Sequence, residues 1–221
     1  MKVCTDACIL GAWVADKLKS EQINASTILD IGTGTGLLSL MLAQKSTAKV
    51  DAIEIEKNAF NQAINNFKQS QWSDRLQALH GDVKDFDPSE KYDLIISNPP
   101  FYQDDLLSLV QNKNVSKHSE ALNLDDLISV IKKLLKSSGS FVVLLPYHRV
   151  ASFEKLAIEN YFFLKEKLLI KSTLLHEYFR GILLFTQADA IPVEKEMIIK
   201  EEDGNYSSEF TNLMKEYYLN L

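Results

Sequence analysis

The chain has 221 residues, 46% hydrophobic and 24% charged, with 24 Lys and Arg against 30 Asp and Glu for a net charge of −6. That length suits one large domain with a sizeable core, and the acid excess excludes non-specific nucleic-acid binding by bulk charge. No apolar run approaches the ~20 residues of a membrane helix, and the opening MKVCTDACILGAW lacks the cleavage site of a secretory signal, so a cytoplasmic protein with no membrane partner is expected.

Residues 1–26 read as a helical segment ahead of the first strand. Cys4 and Cys8 lie four apart there; on a helix they share a face and pack in the core rather than pair, and two alone make a poor zinc site. Residues 27–31 form a short apolar strand ending in glycines, 37–44 a helix and 49–54 a second strand. Ala59, Ala63 and Phe67 recur on one side of a helix at 58–69. Strands follow at 75–80 and 92–97, the latter (YDLIIS) apolar enough to be buried on both faces. An amphipathic helix at 122–135 is closed by Ser137-Ser138-Gly139. A fifth strand at 141–145 comes next, then a helix at 150–160, β-rich runs at 163–172 and 181–187, and a strand-like piece at 196–200. Strands alternating with helices predict an α/β protein whose parallel sheet is covered on both faces through right-handed crossovers. The two late strands, with no full helix between them, predict an antiparallel hairpin at one edge. The core is expected at 27–187, with a strand and helix in 188–221, where Tyr206, Phe210, Tyr217 and Tyr218 read as packing residues.

Asp30-Ile-Gly32-Thr-Gly34-Thr-Gly36 follows the first strand and opens a helix. Its glycines permit tight turning and close approach of a ligand at the carboxyl end of a strand, where open α/β sheets bind ligands. Glu54 ends the next strand, where a carboxylate accepts hydrogen bonds from ribose hydroxyls. A dinucleotide fingerprint requires GxGxxG, whereas the last glycine here comes one residue early. Asp30, directly before the loop, also suits a ligand with a cationic amine better than a pyrophosphate. Both features favour S-adenosylmethionine over a nicotinamide cofactor. Asp82, after the third strand, is placed to accept from the cofactor's adenine amine or simply to cap its own loop.

Asn98-Pro99-Pro100-Phe101 directly follows the fourth strand, at the same edge of the sheet. Two prolines fix the backbone and remove two donors. The Asn98 side chain and the Pro99 carbonyl offer two acceptors, which together hold a planar NH2 group with its lone pair toward an electrophilic methyl. Phe101 or Tyr102 can stack on a planar base or amide. By itself the motif leaves base and amide open.

The ordered set of Asp30–Gly36, Glu54, Asp82 and NPPF resembles the amino-methyltransferases of the class I, Rossmann-like methyltransferase fold. That resemblance implies a seven-stranded mixed sheet in the order 3-2-1-4-5-7-6 with the seventh strand antiparallel. More narrowly, the opening MKVCTDACILGAW, the phrase DLIISNPPFY and the tail DGNYSSEFTNLMKEYYL are similar to the bacterial tRNA1(Val) adenine N6-methyltransferase family, over nearly the whole chain. The resemblance implies a valine tRNA as partner, methylated on the adenine beside the anticodon, with S-adenosylmethionine converted to S-adenosyl-L-homocysteine. By position, Asp30, Gly32, Gly34 and Gly36 would line the methionine end of the cofactor, Glu54 its ribose and Asp82 its adenine. Asn98, Pro99, Pro100 and Phe101 would face the target base, Asn98 also touching the cofactor, and Thr5 and Asp6 would close over the methionine moiety. Members of that family generally carry a further stretch ahead of MKV.

Residues 111–180 carry 11 Lys and Arg against 7 Asp and Glu, a local surplus read either as solvated helix faces or as a phosphate-contacting surface. Tyr102, Lys117, His118 and Arg149 are the candidates for substrate contact; a solvated loop and a helix cap are the plainer readings. No His, Cys and carboxylate set has metal spacing and no covalent nucleophile is evident, so neither is expected. A protein glutamine methyltransferase, a catalytically silent RNA-binding module and a dehydrogenase remain as alternatives, and a monomer is the expected state.

Overall fold

The computed structural model describes residues 4–99 and 122–219. An eight-stranded mixed sheet runs through it: β1 (Thr27–Ile31), β2 (Lys49–Glu54), β3 (Leu76–His80), β4 (Tyr92–Ser97), β5 (Leu135–Pro146), β6 (Phe163–Lys171), β7 (Tyr178–Thr186) and β8 (Val193–Ile198). Their order across the sheet is β3-β2-β1-β4-β5-β7-β6-β8. β1 pairs in parallel with both β2 and β4, and β7 pairs antiparallel with both β5 and β6. The carboxyl ends of β1 to β6 and of β8 therefore share one edge.

Among the described residues six helices cover the sheet: α1 (Thr5–Lys19), α2 (Leu37–Lys45), α3 (Lys57–Gln69), α4 (Leu124–Leu134), α5 (Tyr147–Glu159) and α6 (Ser208–Met214). The central strands are apolar on both sides because each feeds two cores. In β5, Val142 and Leu144 join the core beneath α1, α2, α3 and α6, while Phe141, Val143 and Leu145 join the one beneath α4 and α5. Helix boundaries follow local chemistry. Glu56 caps α3, accepting from the Asn58 and Ala59 N–H groups at 2.9 and 2.8 Å, and the helix buries the Ala59, Ala63 and Phe67 stripe read from the sequence. Asn123 caps α4 through Asp126 N–H, with Asp125 and Asp126 in the first turn and Lys132 and Lys133 in the last, matching the helix dipole.

Several expectations change. The sheet has eight strands, not seven: β8 adds in parallel outside β6, where it satisfies the backbone groups of an otherwise open edge. Consequently the late hairpin is not at the edge, while β7 lies between β5 and β6 as the resemblance implies. Cys4, expected in the core with Cys8, is exposed at the amino end of α1, and only Cys8 is buried; both are free thiols. α1 is itself core, with Ile9, Leu10, Val14 and Ala15 fully buried. Ser137-Ser138-Gly139, read as a helix stop, falls within the irregular first half of β5, where pairing with β4 shifts register. Among the described residues, no helix is long and apolar enough to cross a membrane.

Candidate active site

The glycine loop leaves β1 and turns over the end of β2. The Gly32 and Thr33 N–H groups donate to the Ile53 carbonyl at 3.0 and 3.2 Å, and Gly36 N–H closes the turn onto the Thr33 carbonyl. Gly36 stands at φ +85, and a Cβ there would lie 2.4 Å from the Phe67 ring of α3, so both backbone conformation and packing demand glycine. Gly32 has φ +71, but a Cβ on it would meet only open space.

Two buried carboxylates frame this loop. Asp30 is completely buried at the end of β1; its Oδ2 accepts from the Thr33 hydroxyl at 2.6 Å and the Ser39 hydroxyl at 2.7 Å. Its Oδ1 is buried and receives no hydrogen bond from the described residues. Burial pushes the Asp30 carboxyl up to about 6, against the pull of those two hydroxyls, with the neighbouring Glu54 adding to the rise. Glu54, also buried, accepts from Gly34 N–H and Glu56 N–H, both at 2.8 Å. It thereby pins the glycine loop to the end of β2 while two carboxylate oxygens keep spare acceptor capacity.

Asp82 follows β3 at the same edge, where its side chain caps the short turn Val83–Asp85 through Lys84 N–H at 2.9 Å and lies 3.4 Å from the Lys84 ammonium. The capping alternative thus describes its present contacts. Asn98 and Pro99 come directly after β4. Ser97 is in register with Ile31 and its hydroxyl donates to the Ile31 carbonyl at 3.0 Å, so Asn98 stands level with Gly32 on the neighbouring strand. Pro99 is buried and Asn98 half-buried. Pro100, Phe101, Tyr102, Lys117 and His118 lie outside the described residues. Arg149 is half-buried in the first turn of α5, at the same edge.

Thr5 and Asp6 open α1. Asp6, in the first turn, accepts from Ala7 N–H at 2.9 Å and receives a 2.8 Å bond from Arg180 Nε, 174 residues away on β7. Arg180 pairs with Pro146 at the end of β5, so this ion pair fastens the first turn of α1 to the carboxyl edge. Nothing in the local sequence of Arg180 announces that contact. Ile55, half-exposed beside Glu54, was also missed; an apolar residue after a strand carries no motif signal.

The arrangement suits the cofactor expected from the sequence. A buried carboxylate oxygen lacking a partner, open space over Gly32 and over Gly81, and spare acceptors on Glu54 match a ligand with a cationic amine and ribose hydroxyls. Cavities of about 200 and 470 Å³ occur elsewhere, one around Asp16 and Lys45 and one around Trp72 and Arg75, away from the carboxyl edge. Among the described residues, no group of three or more His, Cys, Asp or Glu could hold a metal ion.

Comparison with known proteins agrees with this geometry. Residues 12–151 match the methyltransferase small domain family. The chain is 42% identical to the tRNA1(Val) (adenine(37)-N6)-methyltransferase of Dyadobacter fermentans, over 99% of this chain and 91% of that protein. It is 35% identical to the protein of the same name from Pseudoalteromonas translucida, over 100% and 93%. Among solved structures, a protein of Agrobacterium tumefaciens described as a predicted O-methyltransferase superposes with a TM-score of 0.73 over 96% of each chain; at 19% identity this speaks for the fold alone. Fold, glycine loop and full-length similarity together place the chain in the tRNA1(Val) (adenine(37)-N6)-methyltransferase family.

Proposed function

We propose that this protein transfers a methyl group from S-adenosylmethionine to the exocyclic N6 amine of adenine 37 in tRNA1(Val), acting as a monomer in the cytoplasm. What carries the reading is the β1–β4 register, which sets Asn98 beside the glycine loop, in a chain that matches curated tRNA adenine methyltransferases along its full length. S-adenosylmethionine supplies an electrophilic methyl group and leaves as S-adenosylhomocysteine. Asp30 and Gly32, Gly34 and Gly36 hold its methionine end, Glu54 its ribose and Asp82 its adenine, with Thr5 and Asp6 closing over the methionine. Ile55 adds an apolar surface beside the ribose site.

An adenine amine is a weak nucleophile because its lone pair is delocalised into the ring. The Asn98 side-chain carbonyl and the Pro99 main-chain carbonyl accept its two N–H bonds, draw the nitrogen toward tetrahedral geometry and aim the lone pair at the methyl carbon. The new N–C bond forms as the sulfur–carbon bond breaks, and the surplus amine proton passes to solvent. Pro100 and Phe101 complete the segment, with the base turned out of the anticodon loop to reach it.

The test is transfer of labelled methyl to a tRNA1(Val) transcript, with adenine 37 replaced by guanine as control. Asn98→Ala is expected to lower kcat by about a hundredfold or more, the size of losing one preorganised hydrogen-bond partner, with S-adenosylmethionine affinity nearly unchanged. Equal incorporation by the variant, or by the guanine-37 transcript, would overturn the assignment.

A further inference from the structure

We propose that the Tyr147–Tyr178 ring pair is a stacking platform for an unpaired base flanking the acceptor adenine in the anticodon loop, a reading that rests on the function proposed above. Tyr147 is the first residue of α5, directly after the end of β5, and 41% of it is exposed. Tyr178 opens β7 on the same edge. Their ring centroids lie 5.1 Å apart with the planes tilted by 45°. Tyr147 thus presents part of an aromatic ring, and Tyr178 a half-buried one, at the edge where open α/β sheets bind ligands.

The Tyr178 side of the pair is braced. The Tyr178 hydroxyl donates to Glu196 of β8, and the Lys171 ammonium sits 4.3 Å from the Tyr178 ring centroid. Tyr147 rests against that ring and stays partly exposed. A ring held by its neighbours loses little freedom when a base lands on it, which is what makes an aromatic an efficient contact.

Position favours an RNA base as the occupant. Ser97 of β4 is in register with Val143 of β5, so Asn98 runs level with Leu144 and Tyr147 lies three residues further along the chain. That is roughly 7 Å along β5 to its last residue, Pro146, and about 5 Å across, with Tyr147 following at the start of α5, within reach of a nucleotide neighbouring the one presented to Asn98. Turning the acceptor adenine out of the loop unstacks its neighbours, and an aromatic face offers one of them a replacement. Several of the charges at this edge are paired, while His148 and Arg149 follow Tyr147 in α5. Lys171 is 4.0 Å from Glu196, Arg180 is paired with Asp6, and Glu177 adjoins Tyr178. The contribution of the ring pair itself is one of stacking, which salt screens little.

The experiment follows an anticodon stem-loop RNA binding to the full chain by fluorescence anisotropy, which needs no turnover, alongside methyl transfer to tRNA1(Val). Tyr147→Ala and Tyr147→Leu are each expected to weaken RNA binding and raise KM for tRNA about tenfold, the effect of one base–aromatic contact, at low and at moderate salt alike. S-adenosylmethionine affinity and the melting temperature should hold. Tyr147→Phe and Tyr147→Trp should restore binding, and RNA should quench the indole emission that the Tyr147→Trp substitution adds over wild type. Leucine binding as well as phenylalanine, or an alanine effect that vanishes with added salt, would overturn the platform. Wild-type chain that binds the stem-loop and loses binding in Tyr147→Ala, yet methylates no tRNA, would keep the platform and sink the proposed reaction. An active wild type unaffected at Tyr147 would do the reverse.

Discussion

Asp30 is wholly buried, and that burial holds its carboxyl at about 6 against an ordinary 3.8. Because the folded-state value is raised, the folded chain binds more protons than the unfolded chain between those two values. Its stability therefore falls as pH rises through that window and levels off above it. The loss at neutral pH amounts to roughly 3 kcal/mol at most. Asp30→Asn is accordingly expected to raise the urea midpoint at pH 7 while weakening S-adenosylmethionine binding, a local sacrifice of stability for a binding site. A cationic amine beside Oδ1 favours the carboxylate, so at about pH 6 and below cofactor binding should release a proton from Asp30, and affinity should drop as pH falls through that range. Calorimetry in that range, in two buffers of different ionisation heat, measures that proton; identical apparent heats would remove Asp30 from the amine site.

The glycine loop shows what an element asks of single positions. Gly36→Ala meets both a left-handed φ and the Phe67 ring, and is expected to cost about 2 kcal/mol or more in denaturant unfolding. Adding Phe67→Ala should relieve the clash but not the backbone strain, leaving a measurable coupling between the two sites. This element was legible in the sequence because everything defining it is local: a strand, three spaced glycines and a helix, all adjacent along the chain. The α3 stripe was legible for the same reason, its period being written in Ala59, Ala63 and Phe67. What escaped notice was nonlocal. The Arg180–Asp6 pair joins residues 174 apart, and the charged Lys17 of an apolar helix gains its meaning only from Glu166 on β6. β8 was blurred because its exposed residues, Val193 to Glu196, carry no buried alternation, and only its pairing to β6 defines it.

Across the whole molecule, α1 is tied at both ends to the β7–β6 side of the sheet. At one end Asp6 meets Arg180 on β7; nearer the other, buried Lys17 meets buried Glu166 on β6 at 2.5 Å, over the Trp13 ring. Burial raises the Glu166 carboxyl, but hydrogen bonds from Lys17 and Lys195 outweigh it and hold it below the usual carboxylate range. Glu166→Gln leaves the Lys17 charge buried without its counter-ion and is expected to cost about 3 kcal/mol at pH 7. Since a depressed carboxyl stabilises above its unfolded value and loses that contribution as pH falls through its folded value, the gap between wild type and variant should close in acid below pH 4.5. Urea unfolding at the two pH values reads it, and an undiminished gap would contradict the pairing. The placement of β7 has a consequence for how the chain is made. A ribosome releases the glycine loop, Glu54 and Asn98 early, and the region matching the small domain family ends at residue 151. The outer edge of β5 stays unpaired until residues 180–186 emerge and slide in beside it, bringing Phe185 onto Phe141. A message cut after residue 151 would encode every proposed catalytic group and no closed sheet, a nascent chain exposing a bare apolar strand for aggregation or chaperone capture.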